Sequence, residues 1–143
     1  MDLLKAYALS FIGRPYYYGG DDPIGGFDCS GLVGELLMSA GVIPHSHTKM
    51  NAQQLFNRLE KDGSMNVWGL GAIVFFGASA TAIGHVGFCL DNYRMVEAGG
   101  GDPATTTPGV AIVRNAFVKI RPIKYRKDFL CVIKPRYACI GVV

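Results

Sequence analysis

Charge is scarce in this chain: only 17% of its 143 residues are Asp, Glu, Lys or Arg, while half are hydrophobic. Such a sequence can bury a core, which excludes an intrinsically disordered segment. No stretch approaches the roughly 20 apolar residues that a bilayer-spanning helix needs, so no membrane span is expected. The net charge of +3 is mild, and the Lys and Arg residues are scattered, so no nucleic-acid-binding stripe forms. The longest basic cluster, Lys119 to Lys127, alternates with apolar residues and reads as the solvated face of a strand. There is also no internal repeat, no low-complexity tract and no linker, so residues 1–143 are expected to form a single domain.

Metal and phosphate signals are missing too. The four cysteines (29, 89, 131 and 139) form no closely spaced pair. Cys89, Cys131 and Cys139 sit among Phe, Leu, Val and Ile and read as small buried hydrophobes. His45 and His47 flank Ser46 without a Cys, Asp or Glu to complete a metal site, and read as surface residues. Gly99-Gly100-Gly101 follows a strand pattern but lacks the Gly-Lys-Ser/Thr sequence of a phosphate loop, and reads as a loop bordering a site. Met1-Asp2-Leu3-Leu4-Lys5 has no basic leader, and Lys5 and Tyr7 interrupt any apolar run. The expectation is a product made in the cytoplasm that leaves by lysis or inside a particle.

The pattern along the chain predicts helices first and strands afterwards. Asp2 is expected to cap a helix to about Ile12, with Leu3, Leu4, Tyr7 and Phe11 on one stripe. Tyr16 to Phe27 reads as a glycine-rich loop. A second helix is predicted over Cys29 to Ala40, burying Leu32, Val33, Leu36 and Leu37 and closed by Gly41. A third runs from Asn51 to Leu59, where Asn51 and Gln54 have capping-box spacing. Beyond Leu70, strands are expected at 72–76, 85–90, 93–98, 110–114, 118–125 and 129–134. The fold class is therefore α+β, with three N-terminal helices packed on a mostly antiparallel sheet of about five or six strands.

Two short motifs carry chemistry. Phe27-Asp28-Cys29-Ser30-Gly31 puts a cysteine in the first turn of a helix, where unpaired N–H groups and the dipole favour a thiolate. Gly84-His85-Val86-Gly87 puts a histidine on a strand, with glycines that leave room beside the ring. A lone cysteine is usually a buried hydrophobe and a lone strand histidine is usually packed. Together they are the minimum equipment for nucleophilic attack on an amide. If the following turn pairs odd positions with odd ones, Glu97 shares the His85 face and can orient the imidazole. Tyr16-Tyr17-Tyr18, before Gly19-Gly20, suggests a wall for a ligand.

Tyr16-Tyr17-Tyr18-Gly19-Gly20, the Asp-Cys-Ser-Gly motif continued by Leu32-Val33, Gly71-Ala72-Ile73-Val74-Phe75-Phe76 and the Gly-His-Val-Gly motif resemble, in order and spacing, the NlpC-type cell-wall cysteine peptidases. That resemblance implies a papain-like α+β fold and cleavage of peptidoglycan stem peptides, commonly between D-γ-glutamate and diaminopimelate or lysine. It makes Cys29 the nucleophile and His85 its base. It makes Tyr16 a helper at the oxyanion, and it gives Asp28 and Ser30 a part in holding the stem peptide. The third polar residue of the family, often a second histidine, falls at Glu97, and Ala72 stands where the family often has Asp. No metal or organic cofactor is implied.

A lone domain of this kind also resembles versions carried by tailed phages, which implies phage tail proteins as partners and the bacterial cell wall as the place of action. Two rival readings keep the same residues. One is a non-catalytic tail or wall-binding module in which Glu97 has replaced a needed histidine. The other is acyl transfer or amidase chemistry on a related scaffold.

Overall fold

Caps and breakers decide where the helices lie. The computed structural model describes residues 1–45 and 48–138, so the expectations for Ser46, His47 and Cys139 fall outside the described residues. Helix α1 (Asp2–Ser10) starts at Met1 without a side-chain cap. Asp2 therefore sits inside the first turn, where it complements the dipole, and does not cap the helix as expected. Leu3 points to solvent, while Leu4, Tyr7 and Phe11 pack on the core. The predicted loop of residues 16–27 contains a small hairpin, β1 (Asp21–Asp22) with β2 (Gly26–Phe27).

Helix α2 (Cys29–Ser39) is capped by Asp28, whose side chain accepts from the Gly31 N–H. It buries Leu32, Val33, Leu36 and Leu37, the stripe read from the sequence. Gly41, at φ +74°, takes the left-handed turn just past the Ala40 cap. Helix α3 (Ala52–Glu60) carries the full capping box: the Asn51 side chain accepts from the Gln54 N–H at 2.8 Å, and Gln54 accepts from the Asn51 N–H at 2.9 Å.

The strands are β3 (Ser64–Met65), β4 (Ile73–Ser79), β5 (Ala82–Cys89), β6 (Arg94–Gly99), β7 (Phe117–Pro122) and β8 (Phe129–Lys134). They form one sheet of six antiparallel strands in the order β3-β8-β4-β5-β6-β7. The fold is α+β, as the sequence pattern requires. One face of the sheet, with Phe75, Val86, Phe88 and Val96, buries itself against Leu32 and Leu36 of α2 and Leu55 and Leu59 of α3. Val74, Phe76, Cys89, Met95 and Val132 form a second apolar cluster, closed by Ile123. Among the described residues, no helix is long and apolar enough to cross a membrane.

One element departs from expectation. Residues 110–114 are not a strand but belong to helix α4 (Pro108–Arg114). Val110, Ile112 and Val113 have the branched side chains of a strand, yet the flanks decide the outcome. Thr107 caps through its hydroxyl, Pro108 opens the first turn, and Asn115 at φ +53° ends the helix in the left-handed region. The expected strand over 118–125 also stops early, at Pro122, and residues Ile123–Tyr125 form a 3-10 turn. That turn matters for the site.

Candidate active site

Asp28 organises the segment that carries the cysteine. Its Oδ1 accepts from the Gly31 N–H at 2.8 Å and from the Ser30 hydroxyl at 3.2 Å. Its Oδ2 accepts from the Gly19 N–H at 3.1 Å and pairs with the Lys49 ammonium at 2.9 Å. Lys49 also donates to the Ser30 hydroxyl at 2.8 Å. Asp28 and Ser30 are buried, and the four contacts of the Asp28 carboxylate are all internal. Their visible work is to cap α2 and to tie it to the Gly19-Gly20 turn, with Lys49 balancing the charge. Lys49 carried no signal in the sequence, because its partners lie 19 and 21 positions away in the chain.

Cys29 is the first residue of α2, so its N–H is one of the four that have no partner within the helix. It is partly accessible, and its thiol lies beside the His85 imidazole as a hydrogen-bonding and charge partner. His85 stands on β5, 6% exposed, with its ring 5.5 Å from that of Phe76. Its Nε2 pairs with Glu97 Oε2. The β5–β6 ladder sets Phe88 opposite Val96 and Cys89 opposite Met95, so odd positions do pair with odd ones. That register turns Glu97 toward His85.

Electrostatics within this group are opposed and then resolved. Burial pushes the His85 imidazole down, but its hydrogen bonds and charge contacts with Cys29 and Glu97 outweigh this and raise its pKa to about 9. Burial pushes Glu97 up, while His85, Tyr125 and Arg121 together hold it below the ordinary carboxylate range. When His85 carries a proton, the pair is an imidazolium facing a carboxylate that stabilises it.

Glu97 is completely buried and has partners behind it. Its Oε1 accepts the Tyr125 hydroxyl at 2.8 Å and lies 3.6 Å from Arg121 Nε. The Arg121 guanidinium sits 4.4 Å from the centre of the Tyr125 ring. Both residues lie inside the cluster that the sequence pattern assigned to a solvated strand face. From the sequence, Glu97 is expected only to share the His85 face; its burial, which demands donors or a cation, is shown by the structure.

Tyr16 is buried, and its ring lies over Gly101, where a Cβ would stand 2.1 Å from the ring. Burial pushes its hydroxyl up, and the charges of Cys29 and Asp28 push the same way, so the phenol stays protonated and can donate. Tyr17 and Tyr18 are about half exposed beside it. Gly84 has open space where a side chain would be, as expected, but Gly87 does not: its missing Cβ is replaced by Met95 Sδ and Val74. The partly exposed pair Phe129 and Trp68 stacks at 5.5 Å, with Phe129 edge-on to Phe76.

His45 is exposed and apart from this group. The Cys89 thiol is fully buried and pushed up to about 12, which makes it unreactive, and Cys131 is half-buried against the core.

Comparison with known proteins shows the family and the fold. The chain is 38% identical over 91 residues to the bifunctional muramidase/DL-endopeptidase CwlT of Bacillus subtilis (strain 168), a match covering 62% of this chain and 26% of the relative. The chain thus spans about a quarter of that relative's length. Among solved structures, the NlpC/p60 domain of the peptidoglycan hydrolase SagA superposes with a TM-score of 0.63 at 22% identity, covering 91% of this chain and 94% of that one. RipD of Mycobacterium tuberculosis, described as a non-catalytic NlpC/p60 domain protein adapted to peptidoglycan binding, superposes with a TM-score of 0.62 at 21% identity, covering 94% and 95%. The model of the NlpC/P60 family matches residues 13–121, which hold Tyr16, Cys29, His85 and Glu97, and the chain belongs to that family.

Proposed function

We propose that this chain is a single-domain cysteine endopeptidase that hydrolyses peptidoglycan stem peptides at the bond from D-γ-glutamate to diaminopimelate or lysine. The observation that carries the reading is a helix-start thiol beside an imidazole whose far nitrogen is held by a buried carboxylate. The DL-endopeptidase activity named for the Bacillus subtilis relative supports the substrate class.

His85 takes the Cys29 proton, and the thiolate adds to the scissile carbonyl carbon to give a tetrahedral oxyanion. The Cys29 N–H and the Tyr16 hydroxyl donate to that oxygen, each worth about 3 kcal/mol of barrier. His85 then protonates the departing amine, leaving a thioester on Cys29. Water, deprotonated by the same imidazole, releases the acid and restores the thiol. Glu97 stabilises the imidazolium at each of these stages.

A second reading is favoured by the likeness to RipD: a wall-binding module that keeps the fold and performs no hydrolysis. Digestion of purified peptidoglycan separates the two. The wild-type chain is expected to release stem-peptide fragments, and Cys29→Ala to release none while its melting temperature stays nearly unchanged. Full activity in Cys29→Ala would defeat the thiol mechanism, and an inert wild type whose Cys29 labels no faster than free cysteine would favour the binding module. Placement on a phage tail is proposed from the sequence alone. A purified particle lacking the chain by mass spectrometry overturns it.

A further inference from the structure

We propose that Tyr125 and Arg121 are positioning residues for the Cys29–His85–Glu97 group, holding the Glu97 carboxylate so that one oxygen faces His85 throughout turnover. The inference rests on the peptidase reading above and extends it to two residues that do not touch substrate. Glu97 has no exposed surface, and an ionised carboxylate in such a place requires donors or a cation. While His85 is an imidazolium, it supplies one charge. Once His85 has given its proton to the leaving amine, that charge is gone.

Tyr125 and Arg121 are the groups left to hold the carboxylate at that moment. The Tyr125 hydroxyl donates to Oε1 at 2.8 Å, and the Arg121 Nε stands 3.6 Å from the same oxygen. The guanidinium also lies over the Tyr125 ring, which fixes the phenol that donates. Gly99 leaves room for the carboxylate in this position, since a Cβ there would stand 2.8 Å from Oε1. With Oε1 held by Tyr125, Oε2 is left to His85 Nε2.

The other titratable groups near the pair are accounted for. Cys29 at the start of α2 faces His85, Lys119 on β7 lies opposite Glu97 in the ladder, and Asp128 before β8 feels the charge of His85. Arg126, over the Phe76 ring, is held by Asp128. None of these donates a hydrogen bond to Glu97, so the Tyr125 hydroxyl and the Arg121 charge carry the task. They come from β7 and the 3-10 turn after it, 24 and 28 positions beyond Glu97, which explains why local sequence did not reveal them.

The test uses the full chain as wild type, Tyr125→Phe, Arg121→Met and Arg121→Lys. The readouts are steady-state kinetics on soluble muropeptides and titration of the His85 imidazole protons by NMR. Loss of the Tyr125 hydrogen bond in Tyr125→Phe, or of the Arg121 charge in Arg121→Met, is expected to lower kcat about tenfold to a hundredfold. KM is expected to stay within about twofold, since neither residue faces the substrate. The acidic limb of the kcat profile should move to higher pH, because Glu97 becomes easier to protonate. Removing either group also frees the carboxylate to stabilise the imidazolium, so the His85 titration should move up as well. Arg121→Lys should recover much of the loss.

Folded variants with wild-type kcat, pH profile and His85 titration would overturn the proposal. So would a fall in kcat that leaves the pH profile and the titration unmoved, since that is the mark of a structural role alone. An inactive wild type, or an active Cys29→Ala, counts against the peptidase reading instead. The His85 titration still decides whether Tyr125 and Arg121 control the pair.

Discussion

Gly31 and Gly20 meet backbone to backbone: a Cβ on Gly31 would stand 1.8 Å from the Gly20 carbonyl oxygen and 2.8 Å from its carbon. Because the obstacle is main chain and not a flexible side chain, the contact has no cheap relief. Gly31→Ala is expected to cost about 1–3 kcal/mol as an overpacked site. It should also push the Gly19-Gly20 turn away from Asp28 and so disturb the start of α2. Urea unfolding together with peptidoglycan digestion measures both. A variant as stable and active as wild type would show that the turn yields freely.

Lys49 is expected to act as a stabilising counter-charge. Its ammonium joins the Asp28 carboxylate and the Ser30 hydroxyl, and neither of those side chains has much contact with water. Lys49→Met keeps the stem of the side chain but leaves the carboxylate unpaired, at a cost of about 1–3 kcal/mol. The double variant Lys49→Met with Asp28→Asn removes both charges, and a neutral amide can still cap the helix. It should recover part of the loss. Additive losses in the double variant would mean that the two residues do not act on each other.

Gly99 tests the confinement of Glu97 from a different side. Its missing Cβ makes room for the carboxylate, so Gly99→Ala should displace Oε1 from the Tyr125 hydroxyl. The expected result is reduced kcat with a smaller change in melting temperature, because β6 keeps its ladder with β7. Unchanged kcat in a folded Gly99→Ala variant would show that the carboxylate tolerates a new position.

The legible parts of this chain are those written in short range. The stripe of α2, the capping box at Asn51 and Gln54, and the odd-with-odd pairing of β5 and β6 all follow from neighbouring residues and strict periods. Residues 110–114 are helical despite their branched side chains, because the flanking caps decide. Thr107-Pro108 was a start signal in plain view, and Asn115 a stop. The candidate site divides the same way. Its thiol, imidazole and carboxylate lie in motifs with fixed spacing, whereas Lys49, Arg121 and Tyr125 reach their partners only through tertiary packing. An alternation of basic and apolar residues looks the same whether the charged side faces water or a buried carboxylate.

The His85–Glu97 pair also gives stability a defined pH dependence. The folded-state pKa of His85 is raised from 6.5 to about 9: burial opposes the shift, and the contacts with Cys29 and Glu97 overcome it. A raised value means that the folded state binds the proton more tightly than the unfolded chain. Its stabilisation is therefore complete below pH 6.5 and is lost as pH rises through about 9. Glu97 works in the opposite sense. Its value is lowered despite burial, so its contribution is present above the ordinary carboxylate range and is lost on acidification. Melting temperatures of wild type and His85→Gln, measured across this interval, report on the histidine together with its effect on Glu97. The wild-type curve should fall more steeply between pH 6.5 and about 9. Parallel curves would mean that the folded protein holds the His85 proton no more tightly than the unfolded chain does.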